Sequence, residues 1–380
     1  MIYLDNSATT PIDEAVVDAM LPWLRDGYGN ASSQYGLGRA ARVAIEDARS
    51  SVAECLGAHP AEIIFTSGGT ESNNAIIKSC VGPSGLVRRV LHGATEHHAI
   101  IHPCQDVEAL GIRRHEIPVD TRGVVDLDAL AALDAPSSLV CVMAANNETG
   151  VLQPLSAIRE VCKGALLHTD AVQAFGKIPL NLTTLGVDFA TVSAHKIHGP
   201  KGVGAMFIRK GIDFKAHQTG GSQERNRRAG TEPTALIVGM AAAAKRAVDA
   251  IEERSAHCRR LTTLARERIA ASIPNVRFNC VAELGLPTIV NISFTDAEHL
   301  DGEAILQLLD LNGVAASNGS ACVSGTMQPS HVLVAMGRPA AEARAAVRLS
   351  VSYRTTEEEI ISAVAILADI IREMRVITHN

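Results

Sequence analysis

Short apolar runs punctuate the middle of the chain at close spacing. They fall at Glu62–Thr66, Arg89–His92, Ile112–Pro118, Leu139–Ala144, Ala165–Thr169, Phe189–Ser193 and Val203–Ile208. Each has the length of a strand, and helical patterns such as Ser156–Lys163 lie between several of them. Short β runs alternating with helices predict βα units and a mainly parallel sheet covered on both faces. The pattern then changes. A long stretch rich in Ala, Arg and Glu, 231–273, predicts extended helix. After Pro274 the pattern predicts strands near 276–278 and 288–294, a helix near 300–311, strands near 314–317 and 346–351, and a helix from Thr356. The expected fold class is α/β. A large, mainly parallel-sheet domain spans 14–250, and a smaller α+β domain combines 1–13 with 251–380. No internal repeat or low-complexity linker interrupts this plan.

Composition narrows the choices. With 47% apolar and 20% charged residues in 380, the chain is that of an ordinary globular protein. A net charge of −6 gives no reason to expect direct binding to nucleic acid or to an anionic membrane. No apolar run reaches the roughly 20 residues of a membrane helix. Residues 1–10 read as a strand and a polar turn rather than a signal peptide, so a cytoplasmic location is expected. The eight cysteines are scattered, with no metal-like spacing, so no metal site is expected.

Five segments carry candidate chemistry. Phe65-Thr66-Ser67-Gly68-Gly69-Thr70 runs from a strand through a Gly-Gly turn to a helix start. Such a turn offers backbone N–H groups to a phosphate, or is simply a βα turn capped by Thr70. Asp170 ends the apolar run Leu166–Thr169. Ligands bind at strand C-terminal ends in α/β sheets, although a helix N-cap explains an acid there equally well. Lys196, in Ser193-Ala194-His195-Lys196, follows a buried-type strand; desolvation there lowers a lysine's pKa and suits Schiff-base formation, whereas most loop lysines are merely solvated. Cys322 lies in a small, polar, Gly-rich segment, 316–326, suited to an accessible thiol or to filler. Arg348 interrupts the apolar Val347-Arg348-Leu349 and needs a carboxylate, from a ligand or from an internal salt bridge. A phosphate cradle, a strand-end acid and a strand-end lysine, in that order, meet the needs of pyridoxal 5'-phosphate.

With these motifs in place, the chain resembles the cysteine desulfurases of the NifS/IscS-like group. That group lies within the class V aminotransferase superfamily and the fold-type I pyridoxal-phosphate enzymes. The resemblance runs from Tyr3-Leu4-Asp5-Asn6-Ser7-Ala8-Thr9-Thr10 to Thr355-Thr356-Glu357. It implies conversion of L-cysteine to L-alanine, with the sulfur passing to Cys322 as a persulfide and then to an acceptor protein. It implies that Lys196 forms the Schiff base, that Asp170 pairs with the pyridine nitrogen, and that His97 stacks on the ring and acts as acid or base. Gln173 is implied as the partner of the ring oxygen, with Asn147 beside it and the substrate. Gly69, Thr70, Ser193 and His195 are implied to hold the phosphate, and Arg348 the substrate carboxylate. Thr231 is implied to reach the phosphate of a second subunit, which requires a homodimer. His97 and His98 read otherwise as a plain helix-start pair. Where the family usually has Gly-Asn-Pro-x-Ser-x-His, this chain has Ala31 and Tyr35 in place of Pro and His, and His198 and Ser222 also depart from the pattern. Iron–sulfur assembly, tRNA thiolation and DNA phosphorothioation all remain open as the acceptor pathway. Selenocysteine lysis, transamination and a non-catalytic scaffold are the competing readings.

Overall fold

The computed structural model describes residues 1–81, 85–133, 137–319 and 328–377. Twelve strands are present among them: β1 (Ile2–Tyr3), β2 (Ile63–Thr66), β3 (Arg89–Gly93), β4 (Arg113–Ile117), β5 (Ser138–Cys141), β6 (Leu166–Asp170), β7 (Phe189–Ser193), β8 (Gly204–Ile208), β9 (Val276–Phe278), β10 (Ile289–Phe294), β11 (Val314–Ala315) and β12 (Val347–Ser350). Seven of them form one sheet in the order β2-β8-β7-β6-β5-β3-β4. All of its neighbours pair in parallel except those of β8, which runs against both β2 and β7. An antiparallel return needs no crossover helix. The chain therefore turns back over 194–203 in a short connection, and Lys196 sits on that turn.

The central strands β5 to β8 are buried along their whole length or nearly so, as parallel strands covered on both faces must be. One apolar layer joins Ile45, Val52, Phe65, Val140, Val192 and Ala244 on one face. The other joins Ile64, Ile76, Ile100, Leu139, Phe189 and Met206. Two long helices, Glu14–Arg25 and Gly36–Leu56, cover the first face, and the sequence pattern had not marked them as elements.

A separate apolar core serves the last third of the chain. It joins Leu4, Leu261, Ile269, Ile292, Phe294, Leu349 and Leu367 around the antiparallel sheet β12-β10-β9. The long helical stretch expected over 231–273 is two helices, Thr234–Asp249 and Ile251–Ser272, that meet at Ala250. The break has a packing reason. Ala243, Ala244 and Ala247 belong to the large-sheet core, whereas Cys258, Leu261 and Ala265 belong to the second one. The N-terminus joins this second body as well: β1 pairs in parallel with β11, and Asp5 bridges to Ser350.

Candidate active site

The C-terminal ends of β2, β3, β5, β6 and β7 open onto one cavity of about 530 Å3. This is the edge at which open α/β sheets bind ligands. The turn after β2 supplies one wall. Gly68 has φ 152° and ψ −173°, a conformation essentially closed to residues with a Cβ. It delivers the chain directly into the helix Gly69–Cys80, so the first N–H groups of that helix face the cavity at Gly69 and Thr70. A side chain at Gly69 would stand 3.0 Å from Val172 Cγ2, so the backbone comes close because nothing larger fits.

Asp170 ends β6 and is buried. Its Oδ2 accepts from Asn73 Nδ2 at 2.7 Å, and its Oδ1 accepts from the Val172 N–H at 3.0 Å. The local turn bond and the strand-end acid are therefore the same residue. Lys196 lies across the cavity and donates to the carbonyls of Ser7 and Ala8, both at 2.6 Å. Burial, reinforced by the charge of Arg348, lowers its pKa to about 8, and Asp5 and Asp170 oppose that shift. A lysine so placed deprotonates readily, as a Schiff-base lysine must.

His97 is the N-cap of the helix His98–Glu108. Its Nδ1 accepts the Ala99 N–H at 3.0 Å. Burial lowers its pKa, so the ring is held neutral with its proton on Nε2. The helix cap thus also lines the cavity. Burial pushes His195 down to about 4, and its Nδ1 lies 3.2 Å from Thr9 Oγ1. Gln173, Ser193, His195 and Asn147 line the same cavity.

Arg348 is buried and pairs with Asp5 at 2.7 Å. It also donates to Ser317 Oγ at 2.6 Å and to the Asn147 carbonyl at 2.7 Å. Arg348 thus has an internal ion pair, here with Asp5, and it also lines the cavity. Its Nε has no partner among the described residues.

Thr231 is exposed and does not line this cavity. Cys322 lies outside the described residues, although Ser317 and Gly319, just before it, line the cavity. Among the described residues no cluster of His, Cys, Asp or Glu suits a metal ion. Several cavity residues were not singled out from sequence: Asp5, Asn73, Glu148 and His331. Asn73 stands one helical turn after Thr70, so helical spacing alone could have found it. His331 carries no such signal. It comes from a remote helix, and its Nε2–H donates to the Glu96 carbonyl at 2.9 Å.

The cradle turn is braced from behind by residues 224–228. Arg49 donates to both carboxylate oxygens of Glu224 at 2.7 and 2.8 Å, and both side chains are almost fully buried. Glu224 Oε2 also accepts the Phe65 N–H at 2.8 Å. Arg228 pairs with Glu71, whose Oε2 accepts the Ser67 N–H at 2.7 Å. Arg225 pairs with an acid in the same way, reaching Glu46 at 3.0 Å. Glu224, Arg225 and Asn226 have φ of 44°, 56° and 62°, three successive left-handed residues.

The cavity therefore offers an acid, an ionisable lysine and a helix start. The model of the class-V aminotransferase family matches residues 2–362. The chain belongs to that family. Within it, the chain groups with NifS- and IscS-like proteins. It is 42% identical to a cysteine desulfurase of a Nostoc species, over 100% of this chain and 94% of the relative. It is 40% identical to the cysteine desulfurase NifS of Azotobacter vinelandii, over 98% and 93% of the two chains. The solved structure of a NifS-like protein superposes with a TM-score of 0.91 at 36% identity, covering 98% of this chain and 99% of the other. The fold is accordingly that of the fold-type I enzymes of this family. No described helix is long and apolar enough to cross a membrane.

Proposed function

We propose that this family member is a cysteine desulfurase that uses pyridoxal 5'-phosphate to convert L-cysteine to L-alanine. The observation that carries this reading is the meeting of Lys196, Asp170, Arg348 and the Gly69–Thr70 helix start on one cavity. The donor set fits the cofactor. It has an amine for the aldehyde, a carboxylate for the ring nitrogen, and an N–H cradle with Thr70, Ser193 and His195 for the phosphate. When bound, pyridoxal phosphate supplies an electron sink that weakens the bonds at the substrate's Cα.

The chain's own groups do the rest. Arg348 has donors on the cavity wall for the substrate carboxylate, and Asn147 flanks it. Asp170, held by Asn73 and the Val172 N–H, would pair with the ring nitrogen of the bound cofactor. His97 presents Nε2 with its proton and can donate or recover one without leaving its cap bond. Lys196, lowered toward neutrality, can carry a proton to and from the substrate carbon. The Cys322 thiol forms an S–S bond to the substrate sulfur as the carbon–sulfur bond breaks, leaving a persulfide on Cys322 and alanine. The persulfide then passes to an acceptor protein. We place this enzyme in the cytoplasm as a homodimer. The exposed Thr231, remote from its own cavity, supports service to a second subunit.

Incubation with L-cysteine and a reductant tests this reading. Wild-type protein is expected to be yellow and to release alanine and sulfide in equal amounts. Lys196→Ala should lose the visible band. Cys322→Ala should keep it and form no persulfide. A yellow wild-type protein that releases neither product, with or without acceptor proteins, would overturn the proposal.

A further inference from the structure

A second, much smaller cavity of about 40 Å3 lies behind the cofactor lysine. Lys196 and Ser7 line both cavities. Lys177 lines the small one, and its Nζ donates to Gln173 Oε1 at 2.7 Å. Gln173 Nε2 in turn donates to the Ser7 carbonyl at 2.9 Å, the same carbonyl that accepts from Lys196.

These contacts leave the amide no choice of orientation. A carbonyl only accepts, so the Gln173 nitrogen must face Ser7, and its oxygen then faces Lys177, which donates to it as an ammonium or as the neutral amine that burial favours. Lys177 therefore claims the oxygen of Gln173, and Ser7 claims one proton of its nitrogen. The second Nε2 proton is left as the group Gln173 can offer to the main cavity. Asn6, Ser7 and Thr288 line the same small cavity, and Asn6 Oδ1, Ser7 Oγ and Thr288 Oγ1 have no hydrogen-bond partner among the described residues. Asn6 cannot turn away, because its Nδ2 is committed to the Ser350 carbonyl at 2.8 Å. The small cavity has room for water, which would meet these unpartnered atoms and the remaining Lys177 protons.

We propose that Lys177 is a positioning residue that locks the Gln173 amide so that it donates into the active-site cavity. The inference rests on the proposed cofactor and on Gln173 as the partner of its ring oxygen. An N–H donor stabilises that oxygen as an anion and so favours loss of the neighbouring proton. Without Lys177 only the Ser7 bond holds the amide, and conformers that present Oε1, which repels the anion, gain population.

The test is the pH at which the visible band of the cofactor-loaded protein changes. Lys177→Met, similar in length and without donors, is expected to move that midpoint up by about one pH unit or more. Lys177→Arg, which keeps charge and donors, should restore it. Lys177→Leu serves if the Met variant does not fold. The decisive comparison repeats Lys177→Met in a Gln173→Leu background, where no further shift is expected. An equal shift in both backgrounds means that Lys177 acts through its charge alone, which overturns the proposal. An unmoved midpoint in Lys177→Met beside a raised one in Gln173→Leu overturns it while leaving the reading of Gln173 intact. An unmoved midpoint in Gln173→Leu removes the role of Gln173 and this inference with it.

Discussion

Glu224→Ala is expected to be among the most destabilising single changes outside the cavity. The carboxylate balances Arg49, which stays buried and charged when its partner is gone. Breaking such a pair from one side costs about 3–5 kcal/mol, because the buried guanidinium is left with only the partly exposed Glu46, at 3.2 Å, as a counter-charge. The Phe65 N–H also loses its acceptor, and three left-handed residues lose their anchor. Each of those residues costs about 1–2 kcal/mol in backbone energy, so the segment 224–226 has reason to relax once released. For 380 residues the unfolding entropy is about 0.8 kcal/mol per kelvin, so the apparent Tm should fall by about 4–6 °C. Because Phe65 leads into the Gly68–Gly69 turn, cofactor affinity should drop as well. The assay is a thermal melt of the cofactor-free protein, paired with a cofactor titration. Arg49→Met combined with Glu224→Met should recover most of the lost stability, since no unpaired charge then remains. A shift of under 1 °C in Glu224→Ala, or a double variant no better than the single one, would refute the reasoning.

Three further outcomes are expected. Asn73→Ala removes the 2.7 Å donor to Asp170 and should weaken cofactor binding about tenfold, as a hydrogen bond to a charged group warrants; an affinity within twofold of wild type, measured by absorbance titration, would contradict the role given to Asn73. Buried His168 is held at about 3, and His195 and His198 at about 4, all below the unfolded value near 6.5. Between those limits the unfolded chain binds more protons, so stability should decline as pH falls from about 6.5, and His168→Leu should flatten part of that slope in melts across pH. Lys196 is shifted the same way, to about 8 against about 10.5 unfolded, so its charge burdens the cofactor-free fold below pH 8 and the burden fades as pH rises to about 10.5. The Tm advantage of Lys196→Met should shrink over that interval, and a constant difference would count against the buried placement of the ammonium.

The alternating apolar runs were enough to read β2 through β8, because most of these strands are buried on both faces and leave nearly continuous hydrophobic stretches, the polar edge strand β4 being the exception. Lys196 and Asp170 were legible for the same reason, since each closes such a run with a charge that the sheet interior would not tolerate. The helix Gly36–Leu56 was less visible. Its buried positions are mostly Ala, Gly and a single Arg49, whose burial depends on Glu224 far along the chain. No local pattern encodes that pairing. The same limit hid Asp5 and His331, which reach the cavity only through tertiary packing. The break at Ala250 was also invisible locally, because neither Gly nor Pro marks it and two separate cores impose it. His97 shows the opposite situation, in which one residue both caps a helix and lines the cavity.

The first ten residues are fastened to parts of the chain that are made much later. Ser350 accepts the Asn6 N–H through its carbonyl and the Ser7 N–H through its hydroxyl, and Arg348 holds Asp5. These partners lie more than 340 positions apart, so their contacts cannot reward the chain until nearly all of it exists. The seven-stranded sheet needs only residues 63–208 and faces no such wait. During synthesis, the carbonyls of Ser7 and Ala8 that receive Lys196 must therefore be among the last pieces to settle. The order of emergence makes the lysine's seat a late event, so the cavity cannot close around a cofactor before the C-terminal strand has arrived to hold the N-terminus down.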